Sequence, residues 1–373
     1  MIIVCGRGVP TPDAPLLGLF ELDQTRALHD AGRQVVYCGL DVRSLRRWRR
    51  WGLVHGETGG VPTVTLNAPL GRLPHRLKLA VMRRLWDVLL GAAVRRHGRP
   101  EVVHGHFLAW TAPLAGARLV RGTPLVVTEH WSRLSGAIDA EVRDLGRAVY
   151  GRAAAVLAVS SPLAATIERE FGITAQVVPD MIDVDTFAPV AAATREPGVR
   201  LVTCGNLIAR KNIDGLLRAF AAVAPAAATL TVIGQGPERA ALEALTGQLG
   251  ISDRVRFTGR LSREQMAAEY ARATGFALAS HAETFGMVWA EALAAGLPVL
   301  ATRCGGPEDF VGDDNGVLVS DDPDAIASGL GELCAGITAG RWSSGELSRQ
   351  AGERFSPQAV TGQVLTVYAG SGG

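Results

Sequence analysis

The sequence predicts an α/β protein made of two doubly wound parallel-sheet domains in tandem, and three observations carry that prediction. A chain of 373 residues exceeds what one hydrophobic core usually organises, so two domains of about 150 to 200 residues are expected. Short apolar runs alternate with longer amphipathic ones from end to end, the pattern of parallel strands joined by crossover helices. The composition is 47% hydrophobic and 20% charged, with 44 glycines and 19 prolines spread along the chain, which fits ample core and no long disorder.

In chain order, buried strands are expected at 1–5, 34–39, 101–105, 124–128, 155–159 and 175–178. Between the first two, Pro10 to Gln24 reads as a loop carrying Gly18 and Phe20 that runs into a helix from about Glu21 to Asp30. The second half repeats the rhythm, with strands at 199–204, 229–233, 254–258, 275–279 and 298–301 and helices near 213–223, 237–249, 263–272, 287–295 and 323–335. Pro189, an alanine run, Thr194 and Pro197-Gly198 interrupt the pattern, so the linker is placed near 183–200. The expected domains are 1–185 and 186–354. Residues 355–373 should form a terminal helix. A ligand of such a fold sits in the crevice facing the carboxyl ends of the strands.

Composition also excludes several classes. The longest stretch without Asp, Glu, Lys or Arg runs from Ala219 to Pro237 and is broken by Pro225, Gly234 and Gly236, so no transmembrane helix is expected. Met1 leads directly into Ile2-Ile3-Val4-Cys5 with no basic leader, which argues against a signal peptide. Five scattered cysteines suit reduced thiols, and a cytoplasmic location follows. Net charge is only +2, which gives no reason to expect a nucleic-acid partner, yet residues 42–99 hold 13 basic side chains against Glu57 and Asp87. Of 38 basic residues only Lys78 and Lys211 are lysine, as a GC-rich coding bias toward arginine would give, so each lysine invites a question.

Gly6-Arg7-Gly8 after the first strand lacks a third glycine on register and is followed by Pro10 and Pro12, which disfavours a dinucleotide fingerprint and a dehydrogenase. Gly18, at a loop-to-helix junction, is either an ordinary turn or a place where a phosphate approaches backbone N–H groups. Glu283 and Glu291 stand eight residues apart around a helix expected to begin near Gly286 and end at Gly296. That spacing offers one carboxylate to sugar hydroxyls, helix N–H groups to a diphosphate, and a second carboxylate to a ribose diol; from spacing alone, a surface helix with two solvated glutamates is the better reading. His130 ends an apolar strand and faces the expected crevice, as a hydrogen-bonded loop histidine or as a site group. His104 and His106 alternate on another strand, but no third metal ligand announces itself, so no metal is expected.

Glu283 and Glu291, with Phe285-Gly286 after the first and Gly296-Leu297-Pro298-Val299 beyond the second, resemble the motif of family 4 retaining glycosyltransferases of the GT-B fold, two Rossmann-like domains facing across a cleft. Gly205 to Asn212, Gly234-Gln235-Gly236-Pro237, Phe257-Thr258-Gly259, Gly305-Gly306-Pro307-Glu308 and Pro179 to Phe187 resemble further landmarks, as do Pro12 to Gln24, His104-Gly105-His106-Phe107 and Thr128-Glu129-His130 in the first half. The resemblance implies a metal-independent enzyme that uses no cofactor and moves a hexosyl group, with retention, from a nucleoside diphosphate sugar, UDP- or GDP-linked, to an acceptor hydroxyl. It makes His130, Glu283 and Lys211 the catalytic candidates. It places the donor against Gly18, Asn206, Arg210, Lys211, Arg260, Leu261, His281, Glu291 and the segment Phe285, Gly286, Met287 and Val288. One departure is Asn206, where the family carries an arginine on the diphosphate; Arg210 is the candidate replacement. A sugar-nucleotide epimerase of similar architecture and an inactive nucleotide-sugar-binding homologue are the alternatives.

The acceptor is not specified. The basic segment 42–99, with Arg46, Arg47, Arg49 and Arg50 around Trp48 and Trp51 and then Arg72, Arg76, Lys78, Arg83, Arg84 and Trp86, reads either as a solvated arginine-rich face or as a guide to an anionic acceptor or to a lipid-linked one at the inner face of the membrane.

Overall fold

The computed structural model describes residues 1–11, 14, 17–44, 50–71, 73–134, 136, 138–189 and 198–371, with only the backbone of His75. These form two compact units, Met1–Met181 with Val360–Gly373, and Ile182–Ala359. The division at Met181 falls just ahead of the expected linker, whose residues 190–197 lie outside the described residues.

The first unit runs β1 (Ile2–Gly6), α1 (Leu19–Asp30), β2 (Val35–Asp41), β3 (Gly52–Thr58), β4 (Val61–Asn67), α2 (His75–His97), β5 (Val102–His106), α3 (Leu108–Ala115), β6 (Leu125–Glu129), α4 (Ala140–Tyr150), β7 (Ala155–Ala158), α5 (Ser161–Phe171) and β8 (Gln176–Val177). Its sheet has the order β3-β4-β2-β1-β5-β6-β7-β8, parallel except for β3, which pairs antiparallel with β4. The β3–β4 hairpin lies inside the basic segment and was not among the expected strands. Its signal is Gly59-Gly60, a two-residue loop with positive φ at both positions that brings Thr58 opposite Val61. As an edge strand β3 stays largely exposed, so it lacks the apolar run by which the other strands stand out.

Helix ends follow local chemistry. Asp139 accepts from the Val142 N–H and Ser160 from the Leu163 N–H, while Ser262 and Gln265 form a reciprocal capping box. The second unit runs β9 (Arg200–Cys204), α6 (Ile213–Val223), β10 (Thr229–Ile233), α7 (Arg239–Gln248), β11 (Val255–Gly259), α8 (Arg263–Arg272), β12 (Gly275–Ala277), α9 (Met287–Ala294), β13 (Val299–Thr302), β14 (Gly316–Val319), α10 (Pro323–Thr338) and α11 (Ser344–Phe355). All its strands are parallel, in the order β11-β10-β9-β12-β13-β14. α11 and the short β14 were not anticipated; α11 is polar and has few apolar positions to mark a period.

The last helix, α12 (Pro357–Ser371), belongs from Val360 onward to the first unit. Its Val360, Val364, Val367 and Tyr368 are buried in one cluster with Ile2, Val4, Tyr37, Val126 and Leu157, each such side chain stabilising by about 1.5–3 kcal/mol. Tyr368 also sets its Oη 2.6 Å from His104 Nδ1, so the end of the chain helps to fix a strand that carries histidines.

Candidate active site

In the second unit the loop after β9 tightens into one helical turn at Ala209–Lys211 and then starts α6. Asn212, at φ 48°, caps α6 by accepting from the Gly215 N–H at 3.2 Å, and this cap fixes the direction of Lys211. The Lys211 stem runs over Gly205, and the loop leans on residues 234–238, where Leu207 N–H donates to the Gln235 carbonyl at 2.9 Å. Gly236 is required for this approach, because a Cβ there would stand 2.1 Å from the Leu207 oxygen.

Glu283 arrives from the other side, in the loop between β12 and α9. Its N–H donates to the Cys304 carbonyl at 2.7 Å and its carbonyl accepts from Gly306 N–H at 3.1 Å. A Cβ on Gly306 would meet the Phe285 backbone at 2.2 Å, so that glycine lets the two segments touch. The outcome is a cluster of two cations and one carboxylate: Lys211 Nζ lies 2.5 Å from Glu283 Oε1, and Arg210 Nη1 lies 3.5 Å from Glu283 Oε2 while donating to the Ala282 carbonyl. Lys211 and Glu283 are both about one-tenth exposed, so the pair is poorly screened but still open to an incoming anion.

Gly286 precedes α9, whose first free N–H groups follow directly after Glu283's loop. Phe285 turns away from that end: its ring packs on Phe310 and Phe355 at centroid distances of 5.4 and 5.5 Å. Trp289 is buried and donates to the Leu300 carbonyl at 2.8 Å. Glu291, in the second turn, is buried, and desolvation pushes its carboxyl up to about 7, with Asp183 adding to the rise and Arg263 opposing it. Met287 and Val288 are half-buried at the helix start, Arg260 is exposed and Leu261 half-buried in the turn from β11 to α8, and His281 is exposed with Nδ1 2.6 Å from Asp321 Oδ2.

In the first unit His130 follows β6 and His104 and His106 lie on β5. His104 engages both nitrogens, with Tyr368 and with Thr128 Oγ1 at 2.7 Å, and burial pulls it down to about 3. His106 Nδ1 is 2.9 Å from His130 Nε2, and His130 Nδ1 is 2.9 Å from Asp180 Oδ1. Behind them Glu129 is buried and accepts from the Leu108, His130 and Trp131 N–H groups and from Tyr150 Oη, four donors that offset part of its desolvation. Arg7 sits 4.0 Å above the Phe107 ring and pairs with buried Glu21 at 3.0 Å.

Residues 22–186 match the family model described as Glycosyltransferase Family 4, and residues 198–335 match Glycosyl transferases group 1. The D-inositol 3-phosphate glycosyltransferase of Xylanimonas cellulosilytica is 34% identical over 317 residues, covering 76% of this chain and 75% of that protein. The chain belongs to glycosyltransferase family 4. A GDP-mannose-dependent alpha-(1-6)-phosphatidylinositol monomannoside mannosyltransferase of Mycolicibacterium smegmatis is 31% identical over 272 residues, 66% of this chain and 64% of that one. Sucrose-phosphate synthase from Thermosynechococcus elongatus superposes with a TM-score of 0.80 at 22% identity, over 99% of this chain and 98% of that chain. The protein is therefore a glycosyltransferase with the GT-B fold.

Within this family 4 chain the structure gathers Arg210, Lys211 and Glu283 into one cluster and sets Gly286, Met287 and Val288 beside it in sequence. Some expectations need correction. The Phe285 side chain is committed to an aromatic core, leaving only its backbone for a ligand. Arg210 donates to the Ala282 carbonyl and lies 3.5 Å from Glu283, while Asn206 is exposed. Gly18 adopts a left-handed conformation and precedes α1 without a side-chain cap, and the helix starts at Leu19, just ahead of the expected start near Glu21. Of the basic segment, residues 45–49 and 72 lie outside the described residues, and Trp86 is buried, so it cannot rest at a membrane surface. Sequence reasoning missed Asp180 and His106 as partners of His130. The signal available was Asp180 beside Pro179 in a quoted landmark, without a hint of its partner.

Proposed function

We propose that the enzyme transfers a hexosyl group from a nucleoside diphosphate sugar to an acceptor hydroxyl, with retention and without a metal ion. The Lys211–Glu283–Arg210 cluster, one loop ahead of the α9 N-terminus and eight residues before Glu291, is the observation that carries this reading. Lys211 and the N–H groups of residues 284–288 would take the diphosphate, Glu283 the hydroxyls of the transferred sugar, and Glu291 the ribose diol. On arrival of the diphosphate the Lys211 ammonium, now held by Glu283, is shared with phosphate oxygens, and it stabilises the negative charge that grows on the leaving group. The anomeric carbon–phosphate oxygen bond breaks as the acceptor oxygen bonds on the same face, and the acceptor proton passes to the departing phosphate oxygen. By the family resemblance, His130 would contact the donor sugar.

For the acceptor we propose an anionic, phosphate-bearing molecule. The named relatives act on D-inositol 3-phosphate and on a phosphatidylinositol monomannoside, both phosphorylated, and residues 42–99 of this chain are strongly basic. Among the described residues no helix is long and apolar enough to cross a membrane, so contact with a lipid-linked acceptor would be peripheral.

Incubation with a panel of UDP-, GDP-, dTDP- and ADP-sugars tests the donor. Slow acceptor-independent release of nucleoside diphosphate is expected with one of them, and the product anomer is read by NMR. An isomeric sugar nucleotide as the product, or an inverted anomer, would defeat the reading.

A further inference from the structure

The carboxyl ends of β5 and β6 carry three stacked imidazoles, with ring centroids 4.5 Å apart for His104 and His106 and 5.2 Å for His106 and His130. His104 is saturated by Thr128 and Tyr368. His130 is held on both nitrogens, by Asp180 at 2.9 Å and by His106 Nδ1 at 2.9 Å. The Asp180 contact has the geometry of a charge pair and not of an aligned hydrogen bond. A ring between a carboxylate and a neutral imidazole nitrogen satisfies both neighbours as imidazolium, with Nδ1–H toward Asp180 and Nε2–H donated to His106. His106 is then the tautomer protonated on Nε2, a buried atom with no hydrogen-bond partner.

The surrounding charges agree with that assignment. His130 faces Asp180 from the segment after β8, Glu129 from its own strand, Glu21 from α1, and His106 and His104 from β5; Arg7, from the loop after β1, acts on His106, and Asp23 lines the same pocket as His130. Glu21 is partly neutralised by Arg7, and Glu129 is occupied by its four donors, so Asp180 is the carboxylate nearest the ring. Burial opposes charge on His130, yet Asp180, with Glu129 and Glu21 behind it, outweighs burial and the pKa rises; His106, more deeply buried and facing His104, His130 and Arg7 with no carboxylate, is driven down.

We propose that Asp180 is a positioning residue for the transfer, which fixes the orientation of His130 and holds it as an imidazolium, so that the donor meets a positive charge over a wider pH range than an unpaired ring would give. The proposal rests on the reading that His130 contacts the donor. It separates the roles of two adjacent buried histidines by one carboxylate contributed from about 50 residues further along the chain.

The test is the Asp180→Asn variant, which keeps shape and removes charge. In the ligand-free protein, NMR titration of the His130 imidazole, assigned through a His130→Gln variant, should move from above about 6.5 to below it. In the wild type, turnover should fall as pH rises through the raised His130 pKa. In Asp180→Asn the same fall should come at lower pH, with kcat at pH 7.5 reduced about tenfold, donor KM changed less, and activity recovering toward pH 5.5. Asp180→Glu should restore part of the wild-type profile. An unchanged His130 titration in Asp180→Asn overturns the proposal, as does a lowered His130 pKa with an unmoved rate profile. A wild-type protein that turns over no donor, while the titration still shifts, would instead sink the functional reading and leave the pairing intact.

Discussion

The two units hold their charged groups in opposite ways. In the second, two cations, Lys211 and Arg210, share the one carboxylate of Glu283, so a ligand's oxygens can take over one cation while the other still holds Glu283. In the first, a single ring, His130, is held on both nitrogens, by Asp180 and by His106. Burial does not separate the two sites, since Lys211 and Glu283 are about one-tenth exposed and Asp180 is 15% exposed. The difference lies in how the partners are shared: a carboxylate with two cations leaves one to spare for a ligand, and a ring with both nitrogens engaged has its orientation set.

Removing the open pair should give the largest effect. Lys211→Ala deletes a charge-assisted bond of about 1.5–3 kcal/mol, so turnover of the donor should fall by roughly tenfold to a hundredfold. Lys78→Ala, on α2, should leave donor hydrolysis unchanged. Equal kcat/KM for the two variants would show that the cluster does not reach the diphosphate.

The two glutamates of the motif sharpen the contrast within one unit. Glu291 is raised from 4.5 to about 7, so the folded state binds its proton more tightly than the unfolded chain does. Stability therefore falls as pH rises between those values, by about 3 kcal/mol in all for a group this buried. Glu291→Gln should accordingly raise the Tm of the ligand-free protein at pH 8, by roughly 5 °C or more, and change it little at pH 4.5. The same variant should bind free nucleoside diphosphate about tenfold more weakly, and wild-type affinity should decline as pH falls through 7, because a protonated carboxyl accepts less well from a ribose diol. Glu283→Gln should slow the chemical step and, by freeing Lys211 from a competing carboxylate, bind the free diphosphate at least as tightly as the wild type does. Calorimetry that finds Glu291→Gln binding like wild type would remove the ribose role.

Legibility followed the same division. Strands and helices with clear periods were readable, and α6, β10 and α8 have the expected ends. Lys211, Glu283 and Glu291 stood out through the family resemblance, and Lys211 also through the scarcity of lysine; spacing alone favoured a solvated helix for the two glutamates, and Lys211 and Glu283 lie on separate loops. The β3 edge, the polar α11 and the short β14 were not, since none has a continuous apolar run. His106, His130 and Asp180 meet only through the order of β5, β6, β7 and β8 in the sheet, and a spacing argument has no access to strand order. Trp86 misled because aromatics next to arginines look interfacial until the helix face is known.

Asn206→Arg probes the open cluster more gently. Arg210 is engaged with Ala282 and Glu283 and leaves the exposed Asn206 position to a new side chain. A guanidinium there should tighten nucleoside diphosphate binding about threefold to tenfold, with the gain shrinking as salt rises. Unchanged affinity at low salt would mean that residue 206 does not approach the phosphates.

The smallest effects belong to the basic surface of the first unit, where each side chain acts alone. On α2, Leu77, Arg84 and Val88 stand on one face at 51% exposure for Leu77 and 52% for Val88, with Arg76 and Arg83 exposed beside them. Two apolar side chains flanked by arginines suit the boundary of an anionic bilayer, while Asp87 on the same helix and buried Trp86 lessen the match. Each arginine near such a surface contributes about 1 kcal/mol, so Arg84→Ala should weaken binding to anionic vesicles about fivefold, and Arg76→Ala and Arg83→Ala by similar factors. Sedimentation with anionic and neutral vesicles across a salt series reads this directly, because electrostatic docking must fade as screening grows. No binding to anionic vesicles at low salt would assign α2 to solvent and make a soluble phosphorylated acceptor the better partner for this enzyme.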